Sequence, residues 1–172
     1  MVRASSGLDL EIVVAGTDNP NVPGYLKNVQ EKYKHVPQLR FTGYVEEEEV
    51  APLFTESAVV VFPYTSTTGS SGVLHQAGSY GKAVVMPNLG DLATLIEDEG
   101  YRGEFFAPES TESLAKAIEA IVTNNDHRIH LEKANYEAAT AYPMDRITNI
   151  YLEEFEKIAV KKQGSVKNVS TI

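Results

Sequence analysis

The sequence predicts an α/β fold, a doubly wound and mostly parallel sheet with helices on both faces. Three observations point there. Segments with the two-residue or continuous apolar pattern of strands alternate with segments of helical spacing along most of the chain. The strand segments are uninterrupted apolar runs such as Val59-Val60-Val61-Phe62 and Ala83-Val84-Val85-Met86, as expected when both faces are covered. Glycine or a turn cluster follows most strands, at Gly16, at Gly43 and at Asn88-Leu89-Gly90-Asp91.

Met1 to Gly7 is polar and unpatterned. Leu8 to Val14 reads as a buried strand that turns at Ala15-Gly16. Thr17 to Gly24 is loop. Tyr25, Leu26, Val29 and Tyr33 carry helical spacing and place a helix over about Pro23 to Lys34. Leu39 to Val45 is the second strand. The acids Glu46 to Glu49 admit a metal-site reading, but acids at a helix start complement the macrodipole, and Val50, Leu53 and Phe54 continue them as an amphipathic face. Val59 to Pro63 is the third strand. Thr65 to Gly72 is a loop of small hydroxyl and glycine residues. Val73, Leu74, Ala77 and Tyr80 then form a helical apolar face closed by Gly81.

Ala83 to Pro87 is the fourth strand, and Leu92, Leu95 and Ile96 mark a short helix. Gly103 to Ala107 is the fifth strand. Ser110 or Thr111 caps a helix whose apolar face is Leu114, Ala117, Ile118 and Ile121. Asp126 to Thr140 is a further helix, broken by Pro143. Ile147, Ile150, Tyr151, Phe155 and Ile158 define the last amphipathic helix. The expected organisation is one α/β domain over 1–160 and a polar tail over 161–172.

Bulk properties narrow the function. The 172 residues suffice for one domain with a substantial core. A formal charge of −9 argues against nucleic-acid and membrane-surface modules, which carry basic fields. There is no cysteine, hence no disulfide and no thiolate chemistry. No apolar run reaches the length of a membrane span, and cytoplasmic residence is the expectation.

The segment from Val59 to Ala77 carries the chemistry. A strand, a Gly/Ser loop and a helix N-terminus place backbone N–H groups and a partial positive charge where an anion can approach. An ordinary turn capped by Ser70 or Ser71 is the alternative. No lysine follows the glycines, so this is not a Walker A loop, and G-S-S-G is not the nucleophile elbow of a hydrolase. In doubly wound folds ligands bind beyond the strand C-termini, so Gly16, Gly43-Tyr44, Thr65 to Gly72 and Asn88 to Asp91 are expected on one rim. His75 and Tyr64 admit ligand-contact readings beside plain surface or packing roles. Asp126, His127 and His130 cluster without further ligands at suitable spacing, and His35 reads as loop surface.

The order LEIVVAG, LRFTGYV, SAVVVFPY, GSSGVLHQAGSYGKAVVMPNLGDLATLI and GEFFAPESTESLAKAI resembles the C-terminal, donor-binding domain of GT-B glycosyltransferases, and within them the retaining group-1 (family 4) enzymes. The resemblance covers about Leu8 to Ile158 and implies that 1–160 is a nucleotide-sugar-binding, Rossmann-like domain. It implies that the backbone from Gly69, Ser70, Ser71 and Gly72 to Val73 and Leu74 holds the diphosphate of a nucleotide sugar. Gly43, Tyr44 and Val45 would face the nucleoside. Two glutamates seven residues apart often mark this family; Thr68 and Gln76 stand in their places. Gln76 retains hydrogen-bonding capacity for a ribose diol, whereas Thr68 at the donor-sugar position supplies no carboxylate. Asp91 is the other donor-sugar candidate, with a helix N-cap as its alternative. The resemblance assigns no catalytic residue, and no metal or cofactor is expected beyond the donor itself.

The family's diphosphate-neutralising Arg and Lys, on a strand–helix unit ahead of Leu8, and its acceptor-binding domain lie outside these residues, on the same natural chain or a partner chain. The isolated chain is then expected to bind donor weakly and to transfer nothing. An uncovered sheet edge would favour self-association. A non-catalytic α/β interaction module with a degenerate nucleotide site is the competing reading.

Overall fold

The computed structural model describes residues 10–66 and 72–167, with backbone alone for Asp91, Leu92, Leu95, Met144 and 161–167. Among the described residues strands and helices alternate as far as α5, and two further helices follow: β1 (Ile12–Ala15), α1 (Tyr25–Lys32), β2 (Leu39–Gly43), α2 (Glu47–Glu56), β3 (Val59–Val61), α3 (Gly72–Ser79), β4 (Ala83–Pro87), α4 (Asp91–Asp98), β5 (Glu104–Phe106), α5 (Thr111–Val122), α6 (Asn125–Thr140) and α7 (Met144–Lys167). All pairings between named strands are parallel. They form two sheets rather than one, β1-β2 and β3-β4-β5. The split arises because, among the described residues, no strand pairs with the free edge of β1 or of β3.

β4 is the centre of the fold. Every residue from Ala83 to Pro87 is buried, as a continuous apolar run flanked by two strands and covered on both faces must be. The side-chain alternation of a strand sorts the core into two layers. Val84 and Met86 pack with Leu74 and Ala77 of α3, Ile96 of α4 and Tyr101. Ala83 and Val85 pack with Phe106, Ala117 and Ile121 of α5, and Leu131 of α6. Close approach explains two glycines. A Cβ on Gly78 would stand 2.6 Å from the Tyr101 ring, and one on Gly103 would stand 2.7 Å from the Val84 carbonyl oxygen.

Asn135 joins α6 to the sheet. It is fully buried, its Oδ1 accepts from the Arg102 N–H (2.8 Å), and its Nδ2 donates to the Lys82 carbonyl (2.8 Å). One side chain thereby satisfies backbone groups ahead of both β4 and β5.

Helix α7 runs on through residue 160 to Lys167. Its apolar stripe is real in sequence, yet Ile150, Tyr151, Phe155 and Ile158 are all exposed, because no other described element covers that face. Val73 is likewise exposed rather than part of the buried face of α3, which is Leu74, Ala77 and Gly78.

Candidate functional site at the strand C-termini

The rim beyond β1 and β2 is tied by glycines. The Gly16 N–H donates to the Gly43 carbonyl (3.0 Å) and to Thr42 Oγ1 (3.2 Å). Both glycines hold positive φ, 118° and 71°, which an L side chain adopts only with strain. This turn presents Tyr44 to solvent at 70% relative exposure, with Val45 half-buried beside it. The expected nucleoside positions Gly43, Tyr44 and Val45 are thus brought to one accessible edge.

Beyond β3 and β4 lie the segment ending at Ser66, the start of α3, and the Asn88–Gly90 turn. Thr68, Gly69, Ser70 and Ser71 lie outside the described residues. Gly72 opens α3, is exposed, and among the described residues has no heavy atom within 4 Å of the place its Cβ would occupy. Leu74 is buried at 1% exposure, so only its backbone is available to a ligand, whereas the side chain of Gln76 is exposed on the same helix. Asp91 opens α4.

Side chains cap the starts of three helices that follow the strands, α1, α2 and α5. The Asp18 carboxylate accepts from the Gly24 N–H (2.6 Å) and the Leu26 N–H (2.7 Å) and so neutralises the start of α1. Sequence reasoning missed Asp18, because a cap supplied from six and eight residues upstream has no local signature. Helix α2 is closed by a capping box, with the Glu46 N–H donating to Glu49 Oε2 (3.0 Å). This assigns the acidic run a helix-start role. Helix α5 is capped by Ser110, whose side chain accepts from the Ser113 N–H (3.2 Å). The position that would cap α3, Ser71, lies outside the described residues.

The histidines are drawn elsewhere. His75 Nδ1 lies 2.8 Å from the Tyr101 hydroxyl, and Nε2 lies 3.7 Å from Glu99 Oε2. The ring therefore braces α3 against the segment between α4 and β5 instead of facing the rim. Burial, reinforced by the charge of Glu99, raises the Tyr101 phenol above its ordinary pKa. His127 Nε2 pairs with Glu104 Oε1 at 2.7 Å, which fastens α6 to β5. Among the described residues no three His, Cys, Asp or Glu side chains are grouped to hold a metal ion. Tyr64 sets its ring edge-on to Phe62, at 5.7 Å between centroids. No helix among the described residues is long and apolar enough to cross a membrane.

Comparison with known proteins places this rim in context. The family described as "Glycosyl transferases group 1" matches residues 1–124. No curated protein sequence matches the chain. Among solved structures, a sucrose-phosphate synthase from Thermosynechococcus elongatus superposes with a TM-score of 0.71 at 18% identity, over 88% of this chain and 39% of its own. Anabaena HepE in complex with UDP-glucose gives 0.69 at 17% identity, over 87% and 41%. The C-terminal domain of a group 1 family glycosyl transferase, LpcC of Francisella tularensis, gives 0.65 at 20% identity, over 77% and 69%. The chain spans about two-fifths of the first two structures and more than two-thirds of the isolated C-terminal domain.

Proposed function

This chain belongs to the group 1 glycosyltransferases, and from that premise we propose that it is the part that binds the nucleotide-diphosphate sugar donor. The backbone at the start of α3, from Gly69 through Ser71 to Gly72, Val73 and Leu74, holds the diphosphate. Gly43, Tyr44 and Val45 face the base, and Gln76 holds the ribose hydroxyls. Thr68 and Asp91 lie toward the sugar. The observation that supports this reading is Gly72 at the first described turn of α3, where no described atom lies within 4 Å of the place a Cβ would occupy.

The chemistry follows from that placement. As the glycosidic bond to the donor breaks, negative charge grows on the departing diphosphate. Fixed N–H dipoles aimed at it stabilise that charge without reorganising. The reading requires no metal, and it assigns transfer with retention to the whole enzyme. The acceptor and its binding domain come from chain beyond these residues, in line with the two-fifths coverage of the longer structures.

Titration calorimetry with UDP, GDP and ADP, first without metal and then with magnesium, tests the proposal. Saturable binding of one nucleotide without metal supports it and names the base. If the folded chain binds none of them, and still binds none once joined to an upstream strand–helix unit, the site is degenerate. The chain is then the non-catalytic interaction module, a reading favoured by the exposed apolar face of α7.

A further inference from the structure

Helix α3 is tied at both ends to one short segment, residues 99–103 between α4 and β5. Past its end, Asn135 links the Lys82 carbonyl to the Arg102 N–H, at 2.8 Å each. Near its start, the Tyr101 hydroxyl lies 2.8 Å from Nδ1 of His75, three residues after Gly72 and so in the first described turn. Between these ties the Tyr101 ring crosses the helix at Gly78, where a Cβ would stand 2.6 Å from it.

Tyr101 is itself fixed. It is buried, its N–H donates to the Ile96 carbonyl (3.0 Å), and its carbonyl accepts from Arg102 Nη1 (2.8 Å). Among the described residues His75 is the hydrogen-bond partner of its hydroxyl. The charge of Glu99, 3.7 Å from Nε2, favours the ring proton on that nitrogen, which leaves Nδ1 to accept from the hydroxyl. Packing does less for α3. Of its buried residues only Leu74 is large, and Ala77 and Gly78 present a smooth surface that does little to fix a helix along its axis. A directional hydrogen bond in the first described turn then decides where that turn stands.

We infer that Tyr101 is a positioning residue for donor binding. Through His75 it sets the height of the first turn of α3, and with it the N–H groups that meet the diphosphate. The inference rests on the donor-binding reading above. It adds a residue that touches no part of the nucleotide and lies 26 positions from the histidine through which it acts.

Three substitutions test it. Tyr101→Phe keeps the ring against Gly78 and removes the hydroxyl. His75→Leu removes the acceptor, and His75→Asn returns one, because its amide oxygen stands near the place of Nδ1. Affinity for UDP, GDP and ADP is measured by calorimetry on the full chain, alone and joined to an upstream strand–helix unit. Urea titration establishes that each variant is folded under the conditions used. A neutral hydrogen bond is worth about a factor of three to ten. Tyr101→Phe and His75→Leu should each weaken the nucleotide that wild type binds by about that factor. The two together should weaken it no further than either alone, and His75→Asn should recover most of the loss. A role in stability alone would lower the urea midpoint and leave the affinity of the folded protein unchanged, which would overturn the inference. So would additive losses in the double variant, or His75→Asn binding no tighter than His75→Leu. A wild-type chain that binds no nucleotide in either form overturns the donor reading and this inference with it, so the wild type alone tells the two failures apart.

Discussion

Three glycines allow the site to be separated from the fold by one kind of substitution. At Gly72 no described residue lies within 4 Å of a new Cβ, so Gly72→Val meets no steric penalty from the described chain. Its stability cost is bounded by the helix-start preference, within about 1 kcal/mol. A phosphate oxygen accepting from the first-turn N–H groups would sit about 3 Å from the backbone, where the valine methyls project. Loss of even one charge-assisted hydrogen bond, about 1.5–3 kcal/mol, lowers nucleotide affinity by about tenfold to a hundredfold. Gly78→Ala and Gly103→Ala behave in the opposite way. Their Cβ atoms would stand 2.6 Å from the Tyr101 ring and 2.7 Å from the Val84 carbonyl oxygen, contacts that cost about 1–3 kcal/mol through overpacking. Gly78 recovers up to about 1 kcal/mol from helix propensity, so Gly103→Ala is the more damaging of the two. Urea unfolding and calorimetry on all three variants read both quantities. Wild-type nucleotide affinity in a folded Gly72→Val protein would refute the placement of the diphosphate. An unfolding midpoint at Gly103→Ala equal to wild type would refute the packing argument.

Further outcomes follow from individual contacts. Asn135→Leu strips partners from the Arg102 N–H and the Lys82 carbonyl. At about 1–3 kcal/mol for each stranded buried group, the urea midpoint should fall clearly with an unchanged slope; a loss below about 0.5 kcal/mol would mean that water replaces the amide. Glu109 holds φ at 62° in a turn closed by the Ser110 N–H on the Ala107 carbonyl (3.1 Å). Glu109→Gly should therefore stabilise by about 0.5–1 kcal/mol, seen as a raised melting temperature, and a lower one would contradict the strain argument. Gln76→Ala should weaken a nucleoside diphosphate but leave inorganic phosphate unaffected; equal losses by calorimetry would remove its ribose role. Tyr101, with its folded pKa raised, contributes stability that is intact below the ordinary phenol pKa and is lost as pH rises through the folded value. Tyrosinate absorbance and unfolding should report that alkaline loss together, and Tyr101→Phe should abolish it.

What the sequence makes legible here is what neighbouring residues decide. The buried run Ala83 to Pro87, the Ser110 cap and the acidic start of α2 each announce themselves within a few positions, and each stands where the pattern puts it. Gly43 and Gly72 are legible for the same reason, since a turn that needs positive φ and a helix start without a side chain both show in the residue itself. What was not legible depends on partners distant in the chain. The His75 ring is claimed by Tyr101 and Glu99, so its place beside Gln76 in sequence says nothing about where it points. Asp18 caps a helix it does not adjoin. Amphipathicity shows that Phe155 and Ile158 could be buried, but not that a covering surface exists among these residues. The divided sheet belongs to the same class. Strand propensity is local and pairing is not, so an apolar run such as Val59-Val60-Val61 reads identically whether one edge or both are paired. The half-buried state of those valines therefore carries information that composition does not: among the described residues β3 is paired on one side, with β4.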